Sequence, residues 1–205
     1  MRRSFYLLAA LFSTTAVVSA GPIASTSQGT FAGAQNVNGS FTTNLIPTVI
    51  NSTTLPHVEI TQSGRPSSGF DFYSFSHGGG QVVIDIDGPL TNFDTEIGLW
   101  NAAGTLIGNN DDDFSGDPGN NSVFNSLLNF ANLPAGNYIV GVGQFNVNFQ
   151  SGSPYITGSS IFQGGAYNLN ISATAIPEPA SMALFGGLVA LGGVVARRRI
   201  TKVAV

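Results

Sequence analysis

Between residues 21 and 176 apolar side chains recur at every second position in short runs, and nowhere do they keep a 3.6-residue period over three turns. The runs cover residues 70–76, 81–87, 96–101, 125–130, 138–143 and 166–173, and clusters of Gly, Asn, Asp and Pro separate them. Alternation sends successive side chains to opposite faces of an extended chain. Val82, Ile84 and Ile86 therefore point inward, with Asp85 and Asp87 on the outward face; Ile97 with Leu99, and Tyr138 with Val140 and Val142, are further inward sets. One-sided strands divided by turns predict an all-β body, an antiparallel jelly-roll-like β-sandwich. Gly78-Gly79-Gly80 is the clearest of its tight turns.

The sandwich is placed at residues 57–175. Residues 21–56, rich in Ser, Thr, Asn and Gly, read as a flexible leader over 21–29 followed by one or two edge strands. The chain has no cysteine, so stability rests on the core, on calcium, or on both. A body of roughly 155 residues buries about two thirds of its unfolded surface, which makes a core feasible.

The two ends have a different character. Residues 1–20 begin Met1-Arg2-Arg3, continue through an apolar run and close in Val18-Ser19-Ala20, the pattern of a signal peptide that a signal peptidase removes after Ala20. At the other end, Pro177-Glu178-Pro179 precedes an apolar stretch of 16 residues from Ala180 that includes four glycines, and Arg197-Arg198-Arg199 follows. That stretch predicts a short transmembrane helix, and the arginines hold the C-terminus in the cytoplasm with the body outside. The two prolines keep the approach extended and open to a protease.

Pro-Glu-Pro, an apolar helix and an arginine cluster, in that order at the terminus, resemble the PEP-CTERM sorting signal. The resemblance implies an exported protein, anchored in the inner membrane for a time and processed by an exosortase-type transpeptidase in bacteria that make extracellular polysaccharide. The sorting residues it points to are Pro177, Glu178, Pro179, Arg197, Arg198 and Arg199.

Six of the seven basic residues lie in the targeting ends, leaving Arg65 as the only base between residues 21 and 176 against ten acids, a net charge of −9. Such a body does not bind nucleic acid through its phosphates; it attracts cations.

The segments Asp71-Phe72-Tyr73-Ser74-Phe75, Phe93-Asp94-Thr95-Glu96-Ile97-Gly98-Leu99-Trp100-Asn101, Asn109-Asn110-Asp111-Asp112-Asp113 and Leu133-Pro134-Ala135-Gly136-Asn137-Tyr138 carry a second resemblance. Residues 68–145 are similar to the bacterial pre-peptidase C-terminal domain. That likeness implies a jelly-roll sandwich of the kind appended to exported proteins, some members binding calcium or polymeric substrates. Here it comes without a peptidase domain.

The densest polar cluster runs from Asn109 to Asp117. Calcium takes six to eight oxygens, and Asp111, Asp113 and Ser115 at alternate positions before Gly116 reproduce the first half of a calcium loop. The second half departs from it, because the twelfth position is Ser122 where an EF-hand has glutamate. The candidate ligands are Asp111, Asp113, Ser115 and Asp117, completed by Asp94 or by Asp85 and Asp87. A hydrated acidic turn is the competing reading.

Catalytic signals are thin. His57 and His77 read as turn histidines, no G-x-S-x-G surrounds any serine, and Asp94 with Glu96 share a strand face without further support. Trp100 alternates out of phase with Ile97 and Leu99, so it belongs to the outer face, there to cover a loop or to stack on a sugar. The Asn-x-Ser/Thr triplets at Asn38, Asn51, Asn120 and Asn170 are assigned no role. The readings are a non-catalytic envelope or matrix protein held in extracellular polysaccharide, a calcium-dependent carbohydrate-binding module, and a small secreted hydrolase.

Overall fold

The computed structural model describes residues 21–26, 29–120 and 122–175. The expected signal helix, the membrane helix, Pro177, Glu178, Pro179 and the three arginines lie outside the described residues. Among the described residues no helix is long and apolar enough to cross a membrane.

The body is mostly β. Its strands are β1 (Ile23–Ala24), β2 (Gln35–Asn36), β3 (His57–Gln62), β4 (Asp71–Asp87), β5 (Thr95–Asn101), β6 (Leu106–Asn110), β7 (Leu127–Leu133), β8 (Gly136–Gln144), β9 (Val147–Phe149), β10 (Ile156–Gly158) and β11 (Tyr167–Ala175). Nine of them join in one open sheet, and β9 pairs with β10 in a separate hairpin.

β4 organises the whole. The two alternating runs at 70–76 and 81–87 belong to one 17-residue strand, and the glycine triplet between them is a bend within it instead of a hairpin turn. Gly79 and Gly80 have φ of +98° and +109°, which L side chains rarely adopt, and this lets the strand change direction without ending. Before the bend, residues 71–77 pair with β8 on one side, and Tyr73 and Ser74 meet β2 on the other. After it, residues 82–87 lie between β11 and β7. β8 carries β5 and β6 outward, whereas β11 carries β3 and β1.

The two arms face each other across one core, giving a sandwich-like body. Tyr73, Phe75, Ile97, Leu99, Val140 and Val142 from the first arm and Val58, Ile60, Ile84, Ile86, Leu169 and Ile171 from the second form a single buried cluster. The inward sets that alternation predicts, Val82, Ile84 and Ile86, Ile97 and Leu99, and Tyr138, Val140 and Val142, all belong to it. Within the stretch read as a flexible leader, Ile23–Ala24 instead forms β1, parallel to β3, while the segment read as edge strand supplies β2, parallel to β4, and the buried Val37. Short polar segments stay ordered here because each caps an otherwise open strand edge.

The histidines are not turn residues. His57 and His77 are wholly buried in β3 and β4, with His57 Nδ1 3.4 Å from the Leu55 carbonyl and His77 Nε2 3.2 Å from that of Leu133. Trp100 does lie on the outer face of its sheet, beneath cover. Phe72, Phe149 and Ile156 form a second apolar cluster around it, and its Nε1 donates to Gln150 O at 2.8 Å.

Candidate metal centre

Alternation along β4 turns Asp85 and Asp87 away from the core, yet the face they occupy is not in water; they are 2 % and 3 % exposed. The loop from residue 111 to residue 126, between β6 and β7, returns over them. It is tied down at its end, where Ile86 N donates to Ser126 O at 3.0 Å and Ser126 Oγ donates to Thr95 O at 2.6 Å. Asp113 N donates to Asn125 O at 2.8 Å and closes the loop on itself.

Inside the loop, short polar side chains fold the backbone, as Asp and Asn do in turns. Ser115 donates through N and Oγ to the two oxygens of Asp113, at 2.9 and 2.8 Å. Asp117 Oδ1 accepts from Gly119 N at 3.0 Å and Asn120 N at 3.1 Å, while its Oδ2 is buried with no partner. Gly119 sits against Asp87 so closely that a Cβ there would overlap the carboxylate.

The result is a three-carboxylate cluster. One oxygen from each of Asp85, Asp87 and Asp117 lies within 4.8 Å of the others. Both oxygens of Asp85, Oδ1 of Asp87 and Oδ2 of Asp117 are buried without hydrogen bonds. Asn170 of β11 stands directly across from Asp85 in register; its Nδ2 donates to Asp87 Oδ2 at 2.5 Å, and its Oδ1 is buried and unpartnered.

Burial, and then the charges of Asp87, Asp117 and Asp113, push the Asp85 carboxyl up to about 9. Burial and Asp117 raise Asp87 to about 7, against the Asn170 hydrogen bond. Burial also raises Asp117. It would raise Asp113 as well, but the hydrogen bonds from Ser115 and Asn120 outweigh it and hold that carboxyl below its ordinary range.

A second group lies nearer the surface. Asp94, Asp111 and Asp112 bring one oxygen each within 4.8 Å of the others; all three are half-buried. Burial, followed by the Asp111 and Asp112 charges, raises Asp94. Glu96 stands apart, its Oε1 accepting from Asn146 N at 2.8 Å.

The four candidate ligands of the loop, and the two completions offered for it, Asp94 or Asp85 with Asp87, are therefore divided. Asp94 and Asp111 meet in the outer group with Asp112, Asp117 turns inward to Asp85 and Asp87, and Asp113 with Ser115 hold the loop's shape. Asn170 has no signal in the sequence. It is a polar residue on the outward phase of an alternating strand, and only the register of β11 on β4 places it beside the acids.

Residues 175–199 match the PEP-CTERM protein-sorting motif, which starts at the last residue of β11. The match marks an exported protein with a C-terminal membrane-anchoring tail handled by an exosortase-type system. No curated protein matches the chain in sequence. Among solved structures, the chain is similar to Aeromonas hydrophila PliG, a periplasmic lysozyme inhibitor of g-type lysozyme, at 14 % identity and a TM-score of 0.35 over 58 % of this chain and 87 % of that one. It is also similar to the pre-peptidase C-terminal domain of Bacillus anthracis collagenase, at 12 % identity and a TM-score of 0.33 with the same coverage.

Proposed function

We propose that the β body is a non-catalytic cargo of the sorting system, released from its membrane tail outside the cell and retained in extracellular polysaccharide. The sorting motif at residues 175–199 carries this reading. The side chains expected of a hydrolase give it further support. Both histidines are sealed within strands, and Glu96 is engaged by backbone. A body with one base and ten acids also stays soluble and resists self-association once free of the tail.

A carbohydrate-binding role has one observation in its favour. A cleft lined by Asp113, Phe114, Gly116, Asn120, Ser122 and Val123 opens on the loop, and Phe114 is 75 % exposed at its rim. An open aromatic ring beside amide and hydroxyl groups is the mixture a sugar face engages. Trp100 does not take this part, since it is buried.

The test is expression of the full chain in a host with and without an active exosortase-type enzyme, followed by fractionation and mass spectrometry. A product lacking residues after the Pro-Glu-Pro segment, found with the polysaccharide and released when that polymer is digested, is expected. It should begin near Gly21 if signal peptidase acts as proposed. Full-length protein in the membrane fraction of both hosts, or processed protein indifferent to polymer digestion, would count against the reading. Phe114→Ala separates the two roles: it weakens retention only where the cleft contacts the polymer.

A further inference from the structure

We propose that Asp85, Asp87 and Asp117, together with Asn170, form a buried calcium site that fastens the β6–β7 loop onto β4. The inference stands on the β body alone and is independent of how the tail is processed.

Three carboxylates lie within 4.8 Å of one another, two on a central strand and one on a loop some thirty positions later in the chain. Like charges so close repel strongly unless something neutralises them. No cationic side chain bears on the pair Asp85 and Asp87, whose charged neighbours are all acidic, and Arg65, the one arginine among residues 21–175, which have no lysine, is paired with Asp71. Glu59, which also bears on Asp87, adds a further acid.

The oxygens point to a ligand independently of the charge count. Asp85 is 2 % exposed and neither of its oxygens has a hydrogen-bond partner; Asp87 and Asn170 are each 3 % exposed with one unpartnered oxygen apiece. Buried carboxylate oxygens are almost always satisfied, so several orphans in one place call for a bound group. Asp117 has its other oxygen held by two backbone amides, which aims the free one. Gly119 closes over Asp87, where any side chain would collide.

The donor set selects the ion. Every candidate ligand is a hard oxygen, with no thiolate or imidazole among them, which disfavours zinc and copper. Two carboxylates of a rigid strand, one of a loop and an amide carbonyl suit calcium, which accepts irregular arrangements of six to eight oxygens. Magnesium demands near-octahedral geometry and is usually held by one or two carboxylates with several waters, whereas three carboxylates converge here.

The experiment uses the full chain in detergent, with thermal unfolding followed by Trp100, the only tryptophan and a buried one. Millimolar calcium should raise Tm over that in chelator by about 5 °C or more. Asp85→Asn keeps the volume and removes a carboxyl whose ionisation the crowded, buried site opposes. It should raise Tm in chelator and abolish the calcium increment. Asp111→Asn with Asp112→Asn should leave the increment in place. The proposal is overturned if calcium leaves the native chain's Tm unchanged, if the increment survives Asp85→Asn, or if only the Asp111/Asp112 variant loses it. An equal increment from magnesium would overturn the assignment to calcium.

Discussion

Arg65 is the one arginine of the body, which has no lysine, and it is 8 % exposed. A guanidinium taken so far from water needs a partner for its charge and acceptors for its protons. Asp71 supplies the charge through a close ion pair, and the carbonyls of Ser67 and Phe70 accept from Nε and Nη1 at 3.0 and 3.2 Å. The other Asp71 oxygen accepts from the Tyr167 hydroxyl at 2.7 Å, Tyr73 and Tyr167 hydroxyls lie 2.6 Å apart, and Ser25 Oγ closes the chain at 2.7 Å. One network thus joins β11, β4 and the segment after β1. Arg65→Met strands a buried carboxylate and should cost about 3–5 kcal/mol. Replacing both charges, as Arg65→Met with Asp71→Leu, should cost less than the sum of the two single changes, because each single leaves one charge unpaired. Urea unfolding followed by Trp100 emission measures all three, and simple additivity would show that the pair is not coupled. Tyr167→Phe, which removes one donor to Asp71, should cost about 1–3 kcal/mol in the same assay.

At the scale of elements, the β9–β10 hairpin explains how a body can bury its only tryptophan on the outer face of a sheet. Gly98 of β5 and Gly141 of β8 are direct cross-strand partners, and together they leave a bare hollow on that face. A Cβ at Gly98 would come within 2.6 Å of Phe149 and 2.8 Å of the Trp100 ring, and one at Gly141 within 2.8 Å of Ile156. Gly98→Ala or Gly141→Ala should therefore lift the hairpin, cost about 1–3 kcal/mol and shift Trp100 emission to the red. Unchanged emission with full stability would mean that the hairpin does not seat in that hollow. Here the limits of alternation are plain. Its phase assigned Trp100 to the outer face, and Ile84 and Leu99 to the core, because a two-residue period records which way a side chain points. It holds nothing about what lies over the outer face. The same blindness leaves Asp85 and Asp87 on an outward face with nothing said of its cover, when a loop more than twenty residues further on lies over them. It also divided β4 at its glycines, because local turn chemistry does not reveal that each half finds partners from distant segments. A glycine inside each of two alternating strands, Gly98 and Gly141, is the sequence's sign of a close approach, and only the register shows that they face each other.

Between residues 21 and 176 the molecule carries ten Asp or Glu and one Arg, so the stability of its body depends on how its carboxylates are neutralised. Asp85 feels Asp87 on its own strand and Asp117 and Asp113 from the loop, and Asp87 feels Asp117 and the charge of Glu59 from β3, opposite Asn170, so every charge acting on the pair is acidic. The folded chain without metal consequently keeps a proton on Asp85 up to about pH 9, and on Asp87 up to about pH 7, where the unfolded chain has released both from near pH 4 upward. The native state thus binds more protons than the unfolded state, and stability must fall as pH rises. This contribution is complete below the unfolded carboxylate pKa and is lost as pH climbs through the folded values. In chelator, Tm should decline between about pH 5 and about pH 8. A cation in the site changes the sign of the problem, because it binds carboxylates and displaces protons, and its affinity grows as they leave. The gap between Tm in calcium and Tm in chelator should therefore widen across the same interval. A Tm in chelator that stays level or rises from about pH 5 to about pH 8 would show that these acids are not held protonated by the fold. A calcium increment that shrinks with pH would show that the ion binds elsewhere than at the buried carboxylates.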